Sequence, residues 1–250
     1  MFVPHLTIIT GASRGLGRAL AGQLLGSRRR LLTIARHADP TLDEEARRTG
    51  AELTVWTLDL ADGVAASARL EEWLRAQSPA DAVLINNAAA LSEPGPLREG
   101  DPAELVNALR VGLEAPLLLT SAFLRATDGW RTDRRVLNIS SGLGRHAMAG
   151  AAGYCAIKAG MDNFSRAVAL EEAEGESGAR IVSLAPGIIE TQMQVRMRAA
   201  DPARFPEHAT FVGFKESGQL DTPEEAAAKV LRFLVRDDFG RETISDVRSV

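Results

Sequence analysis

Short runs of apolar residues recur along the first part of the chain, separated by longer stretches that mix apolar and polar residues. Apolar runs without alternation are typical of strands buried on both faces, and the mixed stretches between them are typical of helices. The runs occupy residues 6–10, 31–34, 53–58, 82–85 and 135–139. Strands that alternate with helices predict an α/β fold of the Rossmann type, a doubly wound parallel sheet with helices on both faces.

A glycine-rich turn follows the first apolar run. Gly11, Gly15 and Gly17 have the spacing Gly-x-x-x-Gly-x-Gly and lead into a helix-like stretch at residues 18–25. Glycines let the backbone approach an anion closely, and the free N–H groups and dipole of a helix N-terminus attract it. The turn therefore predicts a binding site for the phosphates of a dinucleotide. A tight strand-to-helix turn without a ligand is the alternative interpretation.

The second apolar run ends near Arg36, where dinucleotide-binding folds place the residue that contacts the adenosine ribose. An acidic residue at this point favours NAD, whereas an arginine accommodates the 2′-phosphate of NADP. The first acidic residue after the run is Asp39, and Ser13 and Arg14 in the glycine turn add a hydroxyl and a second guanidinium. Because arginine forks suit phosphate, the sequence predicts NADPH. Alternatively both arginines are solvated, since the chain has 26 arginines and only 3 lysines.

The only tyrosine of the chain, Tyr154, stands four residues before Lys158. On a helix these positions share a face, and a nearby ammonium favours the phenolate, so we expect the pKa of Tyr154 to be lowered. Ser141 follows the fifth apolar run and precedes Tyr154 by thirteen residues, which allows its hydroxyl and the phenol to converge on one carbonyl oxygen. An amphipathic helix that carries an unrelated tyrosine and lysine is the alternative.

Together these motifs resemble the short-chain dehydrogenase/reductase family, and they occur in the family's order along most of the chain. The matching segments are residues 10–17, residues 86–89, Ser141, Tyr154 with Lys158, and residues 186–191. The resemblance implies an oxidoreductase that transfers hydride between a nicotinamide and a carbonyl carbon. It also implies that Tyr154 donates the proton, that Ser141 holds the carbonyl oxygen, and that Lys158 binds the nicotinamide ribose and lowers the pKa of the phenol.

The resemblance assigns cofactor contacts along the chain. The residues it implies for NADPH are Gly11, Ser13, Arg14, Gly15, Leu16, Gly17, Arg36, Asp59, Leu60, Asn87, Ala88, Ala89, Tyr154, Lys158, Pro186, Gly187, Ile189 and Thr191. Asp59 would accept a hydrogen bond from the adenine amino group, and residues 186–191 would fix the nicotinamide ring. Several of these residues follow predicted strands, at the edge where an open parallel sheet binds its ligand.

Within the family, the C-terminal third resembles sepiapterin reductases and the bacterial reductases of aromatic diketones such as benzil. The resemblance rests on residues 154–160, 169–172, 184–187 and 215–220 and on the tail at residues 237–246. It implies that Asp246 binds substrate together with Ser141 and Tyr154, because a carboxylate accepts two parallel N–H bonds from the amino-pyrimidinone edge of a pterin. A solvated aspartate is the alternative, and the choice between a pterin and another ketone stays open.

Two positions depart from the family pattern. Gly112 stands where these reductases usually carry an asparagine whose backbone holds a helix kink and a water near the active lysine. A glycine permits the kink but supplies no amide, so the proton relay to solvent is in question although hydride transfer is not. Ala89 replaces the last glycine of the Asn-Asn-Ala-Gly motif and adds a methyl group beside the nucleotide.

Length and composition favour a single domain. A chain of 250 residues is long enough for one large core, and we see no internal repeat, linker or low-complexity segment. Residues 1–250 are therefore interpreted as one NADP-binding reductase domain, in which residues 192–219 are a substrate lid. The apolar side chains of this lid are Met193, Met197, Phe205, Phe211 and Phe214. A subunit contact is the alternative interpretation of these side chains.

Charge and cysteine content limit the kinds of binding partner and the cellular location that we expect. A net charge of −4 argues against a nucleic-acid surface. The single cysteine, Cys155, cannot form an internal disulfide, and the N-terminus lacks a charged start followed by a long apolar run, so we expect a cytoplasmic protein that does not enter a membrane. Histidines and carboxylates lack metal-ligand spacing, so no metal is expected. The expected partners are a small-molecule carbonyl substrate and further copies of the chain in a homodimer or homotetramer.

Two other functions stay open on the sequence. A nucleotide-sensing protein would keep the fold without turnover, which the presence of Ser141, Tyr154 and Lys158 disfavours. An NAD-dependent alcohol dehydrogenase of the same family would work in the oxidative direction, which Arg36 disfavours. The leading hypothesis is a carbonyl reductase that oxidises NADPH to NADP+ while it reduces a ketone or diketone.

Overall fold

The computed structural model describes residues 4–175 and 178–249, and within them seven strands form one parallel sheet. The strands are β1 Leu6–Thr10, β2 Arg30–Ala35, β3 Glu52–Thr57, β4 Ala82–Asn86, β5 Arg134–Ile139, β6 Arg180–Ala185 and β7 Ile244–Asp246. They lie in the order β3-β2-β1-β4-β5-β6-β7. The predicted doubly wound parallel sheet is confirmed, and the five strands predicted from apolar runs agree with the structure to within one residue at each end.

Helices cover both faces of this sheet. They are α1 Gly15–Leu24, α2 Pro40–Thr49, α3 Gly63–Arg75, α4 Pro102–Leu109, α5 Ala115–Ala126, α6 Ala152–Ala173, α7 Gln192–Ala199, α8 His208–Glu216 and α9 Pro223–Leu234. Successive residues of a strand point to opposite faces, so Ile9 packs in the layer of α1, α2 and α9 while Ile8 packs in the layer of α3 and α5. Both isoleucines are fully buried, which explains why the strands appear as continuous apolar runs.

Side chains cap several helix starts. Asp39, Asp62 and Asp101 accept backbone N–H groups at the beginnings of α2, α3 and α4, and Thr222 forms a capping box with Glu225 at α9. Arg14, which precedes α1, makes no such side-chain bond, and the first turn of α1 has no acidic residue. The first N–H groups of α1 therefore have no side-chain cap.

The helical stretch Pro102–Ala126 is long and apolar enough, by length and composition alone, to cross a membrane. It comprises α4, a π-helical turn at Arg110–Glu114 and α5. Ala115, Leu119 and Phe123 on its inner side are fully buried against the sheet. The stretch thus occupies the position of a core helix in an α/β protein.

The strand order reverses between β1 and β4, which lie next to each other although β2 and β3 separate them in the chain. Ligands of open α/β sheets bind in the crevice beyond the carboxyl ends of the strands at such a reversal. The glycine turn leaves β1 at this edge and Asn87 leaves β4. Ser141, Pro186 and Asp246 lie at the same edge, at the ends of β5, β6 and β7.

Candidate active site

The glycine turn brings backbone against backbone. Gly11 and Gly15 have φ angles of 72° and 55°, which favour glycine, and α1 already begins at Gly15, earlier than the predicted helix-like stretch. A Cβ atom on Gly17 would lie 2.2 Å from the Gly11 carbonyl oxygen, and one on Gly11 would lie 2.9 Å from Ala88 Cα. Neither position has space for a side chain, so the turn and the start of α1 form a tight backbone cradle.

Asn87 and Thr10 join β4 to this cradle. The Asn87 side-chain amide donates to the carbonyl oxygens of Thr10 and Gly11 at 3.0 and 3.3 Å. In return the Thr10 hydroxyl oxygen accepts the N–H groups of Asn87 and Ala88, both at 3.0 Å. The Asn87 side chain thus holds the cradle together, while Ala89 is exposed at the crevice. Sequence reasoning gave Thr10 no role, although its place before Gly11 was the signal.

The arginines predicted to read the 2′-phosphate are available for it. Arg14 and Arg36 are exposed, and among the described residues neither makes an ion pair or a hydrogen bond through its side chain. Asp39, the first carboxylate after β2, is in contact with Arg18 and accepts the backbone N–H and the hydroxyl of Thr41 at 3.0 and 2.8 Å. Burial acts against ionisation, but these hydrogen bonds hold the pKa of Asp39 below its usual range. Its acceptors are therefore occupied inside the protein.

Asp59 and Leu60, which are predicted to contact the adenosine, follow β3. Asp59 is exposed, and one of its carboxylate oxygens accepts the backbone N–H of Ala61 at 3.0 Å. Leu60 is 5% exposed and belongs to the core layer of α3 and α5. Among the described residues, the second carboxylate oxygen of Asp59 accepts no hydrogen bond and can bind a ligand. Leu60 packs in the core.

Tyr154 and Lys158 lie on one face of α6, as the spacing predicts. The Lys158 ammonium is buried, with the residue 3% exposed, and its Nζ donates to the Ile139 carbonyl oxygen at 2.7 Å. The same Nζ lies 5.6 Å from the centre of the Tyr154 ring. Burial lowers the pKa of Lys158 to about 8, and the negative charge of Asp162 acts in the opposite direction.

The expected lowering of the Tyr154 pKa is wrong. Burial raises the pKa of Tyr154 to about 12, and hydrogen bonding with the Ser141 side chain opposes this rise. Removal of water from the phenolate changes this pKa more than the hydrogen bond with Ser141 does. The Lys158 ammonium donates its hydrogen bond to the Ile139 carbonyl oxygen. The phenol is therefore protonated throughout the neutral range.

Ser141 begins the short 3₁₀ turn Gly142–Gly144 that follows β5, and its hydroxyl oxygen accepts the N–H of Leu143 at 3.2 Å. A narrow cavity lies beside Tyr154 and reaches Met197 of α7. Its walls include Leu91, Ser92, Pro94, Leu105, Gly153 and Met197. The wall is mainly apolar, and His146, in the loop between Ser141 and Tyr154, is exposed.

Gly112 lies buried inside the π-helical turn, next to α6. A Cβ atom at this position would be 2.8 Å from Cγ2 of Ile157, the residue before Lys158. The Ile157 side chain is 1% exposed and its Cγ2 sits on a stiff, β-branched carbon. An asparagine therefore does not fit here unless Ile157 moves. The glycine that replaces the family's asparagine thus makes room for the Ile157 side chain.

The segment after β6 reaches the glycine turn. Gly187 has a φ angle of 86°, and Ile189 forms a short parallel bridge with Asp221. The Cγ2 atom of Thr191 lies 3.5 Å from the position of a Cβ on Gly15. Residues 186–191 thus stand across the crevice from the start of α1, and Pro186 is buried where they leave the sheet.

Residues 192–219 fold as α7 and α8 over the cavity. Met197, Phe205 and Phe211 are buried in a cluster of their own, with Leu91 and Met148 packed against it. The segment is also held by ion pairs between Arg196 and Glu93 at 3.1 Å, Arg204 and Glu99 at 3.0 Å, and Arg198 and Glu190 at 2.6 Å. Met193 and Phe214 are half-buried.

Asp246 is the last residue of β7 and pairs with Ala185 across the sheet edge. Its two carboxylate oxygens accept Nε and Nη2 of Arg248 at 2.9 and 2.6 Å, and the Arg248 backbone N–H at 2.9 Å. Arg248 holds the pKa of Asp246 below its usual range. The carboxylate therefore already has a forked partner, a feature that its place in the sequence did not reveal.

Among the described residues, no group of three or more histidines, cysteines and carboxylates is arranged to hold a metal ion. Asp162, a buried carboxylate on α6, was missed by sequence reasoning, because its partners come from distant parts of the chain.

Comparisons with known proteins agree with this geometry. The family model for the short chain dehydrogenase matches residues 5–202. The chain belongs to the short-chain dehydrogenase family. Membership makes it an oxidoreductase of a family that uses NAD(P)(H), and the predicted resemblance is confirmed at this level.

Several members of the family are similar to this chain over nearly its whole length. A benzil reductase ((S)-benzoin forming) of Bacillus cereus is 34% identical over 235 residues, which cover 93% of this chain and 94% of that protein. A sepiapterin reductase of Meriones unguiculatus is 34% identical over 251 residues, which cover 93% and 92%. Among solved structures, a short-chain dehydrogenase/reductase from Burkholderia vietnamiensis is 35% identical, with both chains fully covered and a TM-score of 0.66. A metagenomic short-chain oxidoreductase in complex with NADP is 28% identical, with 98% and 96% covered and a TM-score of 0.72.

Proposed function

We propose that this chain is an NADPH-dependent carbonyl reductase that reduces a ketone or diketone. The observation that carries the proposal is the approach of its only tyrosine to a buried lysine and a serine beside a glycine cradle. Lys158 Nζ lies 5.6 Å from the centre of the Tyr154 ring, and the Ser141 side chain acts on the phenol. A nucleotide sensor requires the cradle alone, so this trio favours an enzyme.

The residues present fit NADPH. Gly11, Ser13, Gly15, Leu16 and Gly17, with the first N–H groups of α1, would bind the pyrophosphate, while Asp59, Leu60, Asn87, Ala88 and Ala89 would line the adenosine site. Exposed Arg14 and Arg36 would bind the 2′-phosphate, and Asp39, the first carboxylate after β2, already accepts three hydrogen bonds within the protein. Pro186, Gly187, Ile189 and Thr191 would hold the nicotinamide. When bound, the reduced nicotinamide supplies a hydride to the carbonyl carbon.

Tyr154 would donate the proton to the carbonyl oxygen. A pKa of about 12 keeps its phenol protonated at neutral pH, which a proton donor in reduction requires. In the reverse reaction, oxidation of the alcohol, the phenolate would accept the same proton. Ser141 would hold the carbonyl oxygen, and the Lys158 ammonium would bind the nicotinamide ribose and stabilise the phenolate that forms.

The substrate would enter the cavity beneath residues 192–219, for which we retain the role of a lid. The benzil and sepiapterin reductases among the relatives suggest a bulky or aromatic carbonyl compound. Asp246 would contact the part of the substrate remote from the reacting carbonyl. A pterin would have to displace Arg248 from this carboxylate, whereas a diketone leaves the pair intact, so a diketone is the first substrate to test.

We also propose that the whole chain is one catalytic domain and acts as a homodimer or homotetramer in the cytoplasm. Val106, Leu109 and Leu117 on α4 and α5 are 47%, 41% and 46% exposed, and Leu170 on α6 is 73% exposed. A second copy of the chain that covered these side chains would bury them.

Tyr154→Phe tests the proposed function. With NADPH and benzil, kcat is expected to fall at least about 100-fold, the typical loss of a general acid, while the Kd for NADPH stays within a few-fold of wild type. Cys155→Ala, a change in the adjacent residue, is the matched control and is expected to retain wild-type kcat. A Tyr154→Phe enzyme that keeps more than about a tenth of wild-type kcat would contradict the assignment.

A further inference from the structure

Asp162 is a buried carboxylate behind the active lysine. It follows Lys158 by one helical turn and Tyr154 by two, so the three side chains form one stripe on α6. Its side chain is 2% exposed. A buried charge is strongly unfavourable unless it is paired and hydrogen-bonded, so the surroundings of Asp162 must supply both kinds of contact.

Three side chains from three elements donate to this carboxylate. Ser140 at the end of β5 and Ser183 in β6 both donate their hydroxyls to Oδ1 at 2.6 Å. Arg145, in the loop that follows Ser141, donates Nε to Oδ2 at 3.1 Å. One carboxylate therefore connects α6 to two strands and to the loop that carries the serine.

The loop is held on both sides of Ser141. Ser140 precedes it, and Gly144 and Arg145 follow it. A Cβ atom on Gly144 would lie 2.8 Å from Asp162 Oδ2 and 2.9 Å from the Lys158 carbonyl oxygen, so the loop lies directly on α6 at the lysine. We call residues 140–145 the Ser141 turn.

Arg145 extends the connection to the last strand. Its Nη2 donates to the Ser245 carbonyl oxygen at 3.1 Å, next to Asp246. The arginine is thus fixed between α6 and β7. Within the part of the chain that the structure describes, Tyr154 and Asp162 on the same helix act on Lys158, Arg145 on the turn pairs with Asp162, and β5 presents the neutral Ile139 carbonyl.

We propose that Asp162 is a positioning residue that holds the Ser141 turn against the Tyr154 and Lys158 face of α6 and places a buried negative charge one helical turn from the Lys158 ammonium. The proposal rests on the proposed function for the roles of Ser141, Tyr154 and Lys158. Its positioning part follows from the three donors, and its charge part from the burial of both groups on neighbouring turns.

Asp162→Asn separates this role from simple packing. The amide oxygen can accept from both serines, because both use Oδ1, whereas the new NH₂ group takes the place of Oδ2 and faces Arg145 Nε, which is also a donor. Ser165→Ala is the matched control. Ser165 is fully buried on the same helix and is bonded to Met161 and Asn138, without contact to the Ser141 turn.

For Asp162→Asn we expect kcat with NADPH and benzil to fall about 10- to 100-fold through misplacement of Ser141, with the KM for NADPH within a few-fold of wild type. We also expect the pKa of Lys158 to fall by about one unit, because an opposing charge is lost. The second effect is measured without turnover, from the Nζ shifts of ¹⁵N-lysine-labelled protein, in which only three lysines contribute.

Arg145→Met is the second variant. It removes the donor to Oδ2 and keeps the carboxylate, so kcat should fall several-fold while the pKa of Lys158 stays at or above the wild-type value. It remains informative if Asp162→Asn fails to fold, since Arg145 is partly exposed.

The outcomes are distinct. If kcat and the pKa of Lys158 in both variants match Ser165→Ala, Asp162 has a structural role only and the proposal is wrong. If Tyr154→Phe keeps wild-type activity, the proposed function fails, and a lysine pKa that still falls in Asp162→Asn supports the charge role by itself.

Discussion

The two sides of the crevice are held together in different ways. On the cofactor side, backbone meets backbone, since a Cβ on Gly17 would lie 2.2 Å from the Gly11 carbonyl oxygen. On the catalytic side, a close backbone approach at Gly144 is joined by bonds between buried side chains, such as those from the hydroxyls of Ser140 and Ser183 to the Asp162 carboxylate. Backbone packing allows one geometry and no added atoms, whereas side-chain contacts can change by substitution. The comparison suggests that cofactor binding is fixed by the fold and that substrate choice is adjustable.

Gly112→Asn tests this comparison most severely, because Gly112 is a tight glycine contact on the catalytic side. With Ile157 in place, the added side chain overpacks the contact between the π-helical turn and α6. We expect a loss of about 1–3 kcal/mol in the free energy of unfolding, or roughly 2–10 °C in Tm, and about 10- to 100-fold in kcat because Lys158 is displaced. Thermal unfolding and steady-state kinetics measure the two effects.

The control for Gly112→Asn is the double variant with Ile157→Ala. Removing the branched side chain opens the space that asparagine needs, so the double variant should be more stable than the sum of the single changes. Additive losses would show that Gly112 and Ile157 are independent.

Arg36→Asp addresses the cofactor side, where the fold is fixed and a single exposed side chain selects the cofactor. Replacing a guanidinium by a carboxylate exchanges attraction for repulsion toward the 2′-phosphate, so the KM for NADPH should rise about 10-fold or more, with a smaller effect on NADH. Arg48→Asp on α2 makes the same charge change at another exposed arginine and serves as the control. Equal changes in KM for the two cofactors would contradict the role of Arg36.

Substitutions in the Asp246 and Arg248 pair should have the smallest effect on activity. They test whether side chains on the catalytic side determine which substrate is reduced. Arg248→Ala frees the carboxylate, so kcat/KM for sepiapterin should rise a few-fold while that for benzil stays unchanged. Asp246→Ala should lower kcat/KM for sepiapterin alone, by up to about 10-fold, because one charged hydrogen-bond partner is lost. Equal losses on both substrates would instead make Asp246 a structural residue that closes β7.

The cofactor side was predictable from sequence because its contacts are local. The spacing of Gly11, Gly15 and Gly17 already encodes the cradle, and continuous apolar runs mark strands buried on both faces. The catalytic side was predictable only where a helix fixes the spacing, as between Tyr154 and Lys158. Its electrostatics were not, because burial, which raises the pKa of Tyr154 to about 12, depends on the tertiary structure.

The remaining errors have three physical origins, of which the first is long sequence separation. Asp162 gains its role from Ser140, Ser183 and Arg145, none of which is a helical neighbour. The three residues of β7 form too short a pattern to predict a strand. The partner of Asp246 is close in sequence, but only the bend after β7 turns Arg248 back onto the carboxylate.

The order of the strands also bears on how the chain matures during its synthesis. The four strands β3-β2-β1-β4 come from residues 6–86, so the nucleotide half of the sheet can assemble while the rest is still being translated. Strand β7 reaches the sheet only after residues 244–246 have left the ribosome, and it gives Arg145 one of its anchors through the Ser245 carbonyl. The strand order thus takes the glycine-turn half of the sheet from the first third of the chain, whereas one anchor of Arg145 comes from its last residues.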